Sequence, residues 1–459
     1  VSDEGLRRSV DKMTEAGVNP VAIQVFRHYY EQLKSGATGL ISEDSIAPLT
    51  EVDRLADQHP DPEAAQQALA QTVVIKLNGG LGTSMGMDRA KSLLPVRDQK
   101  TFLDLIVQQV RSARERHGVR LPLLLMNSFR TREDTLAALA EHPDLPVGGL
   151  PLDFLQNSEP KLRTDDLTPV EWPQNPDLEW CPPGHGDVYP ALLGSGVLDQ
   201  LLEQGFRYAS VSNSDNLGAT PDPVLAGWFA ASGAPYAAEL CRRTVNDRKG
   251  GHLAVRRSDE RLILRDTAQT ADEEMDFFTD EHRHPFFHTN NLWWDLVRLK
   301  EVLTERDGVL GLPLIRNTKT VDPSDSDSPE VYQVETAMGA AIEVFEGATA
   351  IVVDRSRFLP VKTTNELLLL RSDCYRIDDD GTVELLADSA PEVSLDSSYY
   401  KKIGDFDQCF DQGAPSLREA TSLRINGDFR FGAEVTVRGA VELDGGAEQQ
   451  LIESGTVLQ

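Results

Sequence analysis

VVIKLNGGLGTSMGMDRAKSLLPV, residues 73–96, is the stretch of this 459-residue chain whose reading decides the fold. Its opening apolar run, Val73-Val74-Ile75, reads as a buried strand that Gly79 and Gly80 bring to an end. The next residues, Gly79-Gly80-Leu81-Gly82-Thr83-Ser84-Met85-Gly86, are too rich in glycine for a packed helix, where each glycine costs about 1 kcal/mol against alanine. Glycine at this spacing lets backbone N–H groups turn toward a ligand, and phosphate is the usual guest. Lys91 follows at a distance from which its ammonium could reach the same anion. Two familiar phosphate loops are excluded by counting. A Walker loop needs a glycine before Lys91-Ser92, and a dinucleotide fingerprint needs a glycine where Met85 stands. A glycine-rich loop with no ligand stays open at this point.

Outward from that stretch, strand and helix patterns alternate. Leu103, Ile106, Val107 and Val110 follow helical spacing, so the loop is expected to lead into an amphipathic helix. Leu121–Met126 reads as the next buried strand, with Asn127-Ser128-Phe129 at its C-terminal end, and a helix follows around Thr135–Ala140. This alternation predicts an α/β sheet covered on both faces, with ligands at the C-terminal strand ends. Upstream, residues 1–70 read as a mostly polar helical segment with Val21, Val25 and Phe26 on one face and no evident chemistry. A lid, a packing arm or an oligomer contact would all suit it.

Composition narrows the function. Acidic residues outnumber basic ones 74 to 45, a formal charge of −29. A surface so acidic repels nucleic acid and anionic lipid, so neither is an expected partner. The four cysteines form no C-x-x-C pair, which suits a reducing compartment and argues against zinc or disulfides. No run approaches the roughly 20 apolar residues of a membrane span. A cytoplasmic location is the expectation.

Further motifs lie downstream. Residues 141–183 are rich in Pro, Asp and Asn, and so long a loop region is usually functional; it contains Phe154-Leu155-Gln156-Asn157. Pro182-Pro183-Gly184-His185-Gly186-Asp187 exposes backbone and imidazole together. Arg207–Val211 reads as a central strand that ends in Ser212-Asn213-Ser214-Asp215-Asn216-Leu217-Gly218. A carboxylate at such a strand end can hold a Mg²⁺ that arrives on substrate phosphates, although Asp215 could equally cap a turn. Adjacent amides in Phe286-Phe287-His288-Thr289-Asn290-Asn291-Leu292-Trp293 suit sugar hydroxyls. Arg355-Ser356-Arg357-Phe358-Leu359-Pro360-Val361-Lys362 concentrates three cations in an acidic protein, and its flanking residues predict a partly buried Lys362 stem. Loss of Arg357 is expected to cost much less than loss of Lys362.

In this order, the motifs resemble the eukaryotic-type UDP-glucose pyrophosphorylases. L-N-G-G-L-G-T-S-M-G, P-P-G-H-G-D, S-N-S-D-N-L-G and R-F-L-P-V-K-T-T carry the likeness, densely over residues 71–370. The resemblance implies a Rossmann-like nucleotidyltransferase core with a mixed sheet. The reaction it implies joins UTP and glucose 1-phosphate into UDP-glucose and pyrophosphate. It implies catalytic roles for Lys91 and Lys362 and nucleotide binding by Leu77, Asn78, Gly79, Gly80, Gln156 and Gly184. Sugar-phosphate binding falls to His185, Asn213, Gly251 and Asn290, and Asp215 becomes the Mg²⁺ ligand. The chain departs from the family at Met87-Asp88-Arg89-Ala90, where a Lys-Gly-Pro-like segment is usual, and at His288, where the family has asparagine. The same reaction on another hexose 1-phosphate, or a non-catalytic nucleotide-binding homologue, remains an alternative.

The C-terminal segment carries a numerical signal of its own. Leu423, Phe429, Val435 and Val441 are spaced by six, as are Ile425, Phe431, Val437 and Leu443. Paired inward residues at that period predict a parallel β-helix, with a β-meander or an acyltransferase-type β-helix as alternatives. The expected partition is a helical segment 1–70, a catalytic domain 71–370 and a β-helical domain 371–459, through whose open end a homo-oligomer could form.

Overall fold

A computed structural model describes residues 3–459 apart from 245, 246, 249 and 447; Lys249, beside the Gly250-Gly251 pair, is therefore outside the described residues. Eleven strands form one mixed sheet. In chain order they are β1 (Ile46–Pro48), β2 (Asp53–Arg54), β3 (Thr72–Asn78), β4 (Leu123–Asn127), β5 (Asp153–Leu155), β6 (Tyr208–Asn213), β7 (Tyr236–Arg242), β8 (His252–Arg256), β9 (Leu262–Arg265), β10 (Phe286–Asp295) and β11 (Thr349–Val352). The main path runs β2-β11-β7-β10-β6-β3-β4-β5, with β1, β8 and β9 attached through the pairing of β8 with β10. Along that path only β10 runs antiparallel to its neighbours.

Side-chain alternation explains the two covered faces. On β3, Val73 and Ile75 enter one apolar cluster while Val74 enters the other; on β4, Leu124 and Met126 oppose Leu123 and Leu125. Helices Val188–Gly194, Val197–Glu203 and Leu296–Glu305 cover the first face. Helices Phe102–His117, Pro223–Ser232 and Thr364–Arg371 cover the second. Burial on both sides is why β3, β4 and β7 read as near-continuous apolar runs.

The glycine loop leads on to the expected amphipathic helix, Phe102–His117, with further structure in between. Two 3₁₀ turns and a hairpin, Pro95–Arg97 with Lys100–Thr101, intervene. Asp98 and Gln99 turn that hairpin with φ of 50° and 61°, a conformation the non-glycine residues conceal in sequence. The helix starts only where the Thr101–Asp104 capping box allows it, so its N-terminus is spent on its own cap.

Residues 1–70, expected as a helical segment, are not purely helical, which corrects that expectation. Between helices Pro20–Lys34 and Pro62–Ala70, β1 pairs antiparallel with β8 and β2 extends the sheet parallel to β11. Buried Ile46, against Ala254 and Ile263, anchors the first contact. Glu43 anchors it further, through ion pairs to Arg265 and Arg283 at 2.5 Å each. The segment is a packing arm.

Beyond residue 371, helices Ser397–Tyr400 and Ile403–Cys409 precede the repeat region. Glu392–Leu395, Ser416–Asn426, Thr436–Asp444 and Val457–Leu458 pair in parallel in that order, and Phe429–Phe431 pairs in parallel with Gln450–Ile452. Leu423 lies opposite Val441 and Ile425 opposite Leu443, so the six-residue period becomes in-register stacking. Their side chains join the same apolar cluster that covers the second face of the main sheet. Phe431 is fully buried and stacks on Phe410 with ring centroids 4.9 Å apart. Phe431→Ala should therefore lower unfolding stability by about 3–5 kcal/mol. Leu451→Ala, at a position 58% exposed, should change it by no more than about 0.5 kcal/mol. Thermal unfolding of the two variants tests this, and equal shifts would contradict the shared core.

Candidate active site

Strand order reverses between β3 and β6: β4 and β5 follow β3 on one side, while β6 lies on the other. In an open α/β sheet, ligands bind in the crevice at such a point, outside the C-terminal strand ends. The glycine loop leaves β3 there and the Asp215 loop leaves β6 beside it. Because β10 runs the opposite way, its early residues His288, Thr289 and Asn290 reach the same edge.

One group of expected residues converges beside β5. Gln156 N–H donates to the Asn127 carbonyl at 2.7 Å, and its Nε2 donates to the Gly184 carbonyl at 2.9 Å. A carbonyl can only accept, so this contact fixes the amide orientation and turns Oε1 toward Gly79. A Cβ on Gly79 would meet Gln156 Oε1 at 2.7 Å, and one on Gly184, at φ 77°, would meet the Thr336 carbonyl at 2.6 Å. Gly80 has open space where a side chain would stand, and its carbonyl accepts from Lys91 N–H at 3.0 Å. Leu77 is the penultimate residue of β3, where its carbonyl accepts from Ser214 N–H. Asn78 turns inward: Nδ2 donates to Asn127 Oδ1 at 2.8 Å and to Thr135 Oγ1 at 3.0 Å, so only its backbone faces the loop side.

A second group straddles the crevice. Lys91 Nζ pairs with Asp215 Oδ2 at 2.6 Å, both side chains retaining under a fifth of their exposure. Asn290 Nδ2 donates to Asn213 Oδ1 at 3.1 Å, with Asn290 at φ 63°, a left-handed conformation asparagine tolerates. His185 sits over Met338, whose N–H donates to Nδ1 at 3.0 Å. His288 accepts in the same way from Asn290 N–H at 3.1 Å. Burial pushes the His185 imidazole down to about 4 and His288 to about 3, the second helped by its proximity to His185. Both rings are therefore neutral and carry their proton on Nε2. Beneath them, burial raises the Asp187 carboxyl to about 7, against donation from Asn157 N–H at 2.6 Å and Nδ2 at 2.9 Å.

Gly251 forms a third place. Its carbonyl accepts from His288 N–H at 2.8 Å, and a Cβ there would fall on the Asp266 carboxylate. Burial raises the Asp266 carboxyl, and the charge of Lys362 opposes that rise, which puts Lys362 on this side of the cleft. Lys362 itself is exposed. The residue before it, Val361, is buried in the apolar cluster on the second face, with Phe358 and Leu359 packed against it. A β-bridge between Asn216 and Pro360 ties its segment to the Asp215 loop.

Two residues are placed differently from the sequence reading. Asn291, expected beside Asn290 at the sugar, points the other way, as strand alternation requires. Its Nδ2 donates to Glu239 Oε2 and to the Arg357 carbonyl, each at 3.2 Å. Arg357 is no spare cation but is buried against Glu239 through two hydrogen bonds of 2.8 and 2.9 Å. Lys76 is likewise buried in β3, donating to Ser212 Oγ at 2.8 Å and the Ala219 carbonyl at 3.0 Å. Burial, then the Arg357 charge, pushes its ammonium down to about 7. The one available signal for Lys76 and Glu239 was a charge inside an apolar strand run.

As to a metal, Asp215 is a lone carboxylate, and no group of three or more His, Cys, Asp or Glu side chains suited to an ion occurs among the described residues. One carboxylate fits a hydrated Mg²⁺ that binds mainly to phosphates and does not fit an all-protein cage.

A family model described as UTP–glucose-1-phosphate uridylyltransferase matches residues 23–438. A protein of that name from Hordeum vulgare is 38% identical over 467 residues, spanning 99% of this chain and 95% of its own. Among solved structures, a UDP-glucose pyrophosphorylase mutant from Leishmania major in complex with UDP-glucose matches with a TM-score of 0.93 at 42% identity, over 100% of this chain and 98% of that one. A UDP-glucose phosphorylase from Trypanosoma brucei matches with a TM-score of 0.91 at 42% identity, over 99% and 98%.

The two neutral imidazoles give a direct test. In ¹⁵N-histidine spectra, the signals lost in His185→Gln and in His288→Gln should show the Nε2-protonated tautomer and no titration between about pH 8 and pH 5.5. A midpoint at the ordinary histidine value for either would contradict the burial described.

Proposed function

The chain belongs to the UTP–glucose-1-phosphate uridylyltransferase family, and on that premise we propose how its cleft joins UTP and glucose 1-phosphate into UDP-glucose and pyrophosphate. A sugar-phosphate oxygen attacks the α-phosphorus of UTP in line, a new P–O bond forms, and the bond to the pyrophosphate oxygen breaks. The attacking phosphate is already anionic, so no general base is assigned. What the chain must supply is orientation and cancellation of charge between two polyanions.

Each group of residues then takes one part. Gln156 Oε1, held as an acceptor because Nε2 is committed to Gly184, reads the N3–H of uracil. Cytosine presents an acceptor at that position and is rejected. Backbone of Leu77–Gly80 and Gly184 lines the base and ribose side, where a side chain added at Gly79 or Gly184 would collide. Lys91 holds the UTP phosphates. Asp215 would hold Mg²⁺ alongside it, and the cation when bound would neutralise phosphate charge. Across the crevice, Asn213, Asn290, Gly251 and His185 receive the sugar phosphate, and Lys362 reaches in from the cleft mouth toward the α-phosphorus. The single observation that carries this reading is the convergence of Gln156, Gly79 and Gly184 beside the Lys91–Asp215 pair at one strand-order reversal.

We assign the reaction to residues 71–370 and read the parallel strands near the C-terminus as a short β-helix, on the strength of the in-register six-residue repeat. Exposed Leu451 and Val457 on its last strands are where a homo-oligomer would form. No described helix is long and apolar enough to cross a membrane, and all four cysteines are free, which fits the proposed cytoplasmic location.

Gln156→Ala should raise the KM for UTP and erode the preference for UTP over CTP, since an unpaired buried group costs about 1–3 kcal/mol. An unchanged UTP:CTP ratio would remove Gln156 from the site. Lys362→Met should lower kcat by about 10²-fold or more, the range for one transition-state charge contact. Calorimetric UTP affinity should change far less; near-normal kcat with lost UTP binding would exchange the roles of the two lysines.

A further inference from the structure

Four segments of the site meet on one buried side-chain cluster that touches no open crevice. Glu239, on β7, is 1% exposed, and Arg357 is 6% exposed. Arg357 Nε and Nη2 each donate to one Glu239 oxygen, and its Nη1 donates to the Thr220 carbonyl at 3.2 Å. Glu239 also accepts from Trp293 Nε1 at 3.0 Å and from Asn291 Nδ2, both on β10. Burial pushes the Glu239 carboxyl up, but the Arg357 charge and its hydrogen bonds hold it below the ordinary range, so it stays ionised.

From that pair, contacts reach the loop that carries Asp215. Asn216 Nδ2 donates to Asn291 Oδ1 at 3.0 Å and to the Arg357 carbonyl at 3.1 Å. Asn216 Oδ1 accepts from Leu359 N–H at 2.8 Å and from Gly218 N–H at 3.1 Å. Gly218 lies so close to the Ser356-Arg357 backbone that a Cβ would fall on the Ser356 carbonyl and meet the Arg357 carbonyl carbon at 2.7 Å. Lys76 fastens the two ends of the same loop, at Ser212 and Ala219. Asp215 is thus one residue from a clamp whose other jaw ends at Pro360, two residues before Lys362.

We propose that the buried Glu239–Arg357 pair is a positioning device for the transfer step: it fixes the separation between the Asp215 loop, the Asn290 strand and the Lys362 segment. A bidentate guanidinium–carboxylate fork suits this because it sets angle as well as distance, which a point-charge ammonium cannot do. Neither side chain touches substrate; both act through Lys362 and Asp215. This placement matters only if those two residues serve the same phosphates, the reading proposed above.

Arg357→Lys keeps the charge and removes the fork. In the folded variant, kcat for pyrophosphate release should fall by about 10²-fold, the scale of an ångström-level misplacement. UTP affinity by calorimetry should stay within a few-fold. Placed in a Lys362→Met background, the same change should cost clearly less further kcat, because one of the groups being positioned is already gone. Wild-type kcat in folded Arg357→Lys, or an equal loss in both backgrounds, would overturn the proposal. If Arg357→Lys does not fold, Gly218→Ala, which keeps every charge and pushes the two backbones apart, is read by the same criteria. Should neither fold, the pair is structural only and the proposal falls. A wild-type protein that releases no pyrophosphate from UTP and glucose 1-phosphate would instead sink the functional reading itself.

Discussion

Arg357 and Glu239 face each other in the dry interior where β7, β10, the loop after β6 and the segment leading to Lys362 come together. A buried ion pair adds little net stability compared with apolar residues of the same shape, because desolvating two charges offsets most of their attraction. Its value here is geometric. Beyond each other, Glu239 accepts from two β10 side chains and Arg357 donates to the Thr220 carbonyl in the loop after β6, so these segments cannot shift without orphaning a buried group. The site stands on that arrangement.

Charge is the other constraint. A chain of net charge −29 must receive two phosphate-bearing substrates, so long-range attraction cannot gather them. Cations have to act at contact distance. Arg357 is spent on Glu239, and Lys76 is depressed to about 7, so neither serves as a free positive charge for a ligand. Lys91 is held by Asp215, a partner that a phosphate-bound cation can share. Lys362 is exposed and lies on the side of the cleft that Asp266 occupies.

Much of this was legible in the chain. The apolar run ending at Gly79 marked β3, and glycine spacing marked the loop, because both follow from local sterics. The Asp215 loop was legible as a polar cluster after a strand, and the six-residue period foretold parallel stacking of Leu423 on Val441. Other features depend on partners distant in sequence. Strands β1 and β2 are only three and two residues long, too short for periodicity to mark, and exist because β8 and β11 offer them an edge. The hairpin at Asp98-Gln99 hides its positive φ values behind ordinary residues. Arg357 looked expendable, since nothing near it in sequence shows that Glu239 lies opposite, and Asn291 looked like a second sugar contact until strand alternation turned it inward.

The central claim is that the chain orients one phosphate against another and forms no covalent bond of its own. Stereochemistry at phosphorus tests it most directly. UTP carrying a single stereoisomer of sulfur-for-oxygen substitution at the α-phosphorus would be turned over with glucose 1-phosphate, and the configuration of the UDP-glucose product determined. One in-line displacement predicts inversion. Retention would require a uridylylated side chain as an intermediate and would contradict the account.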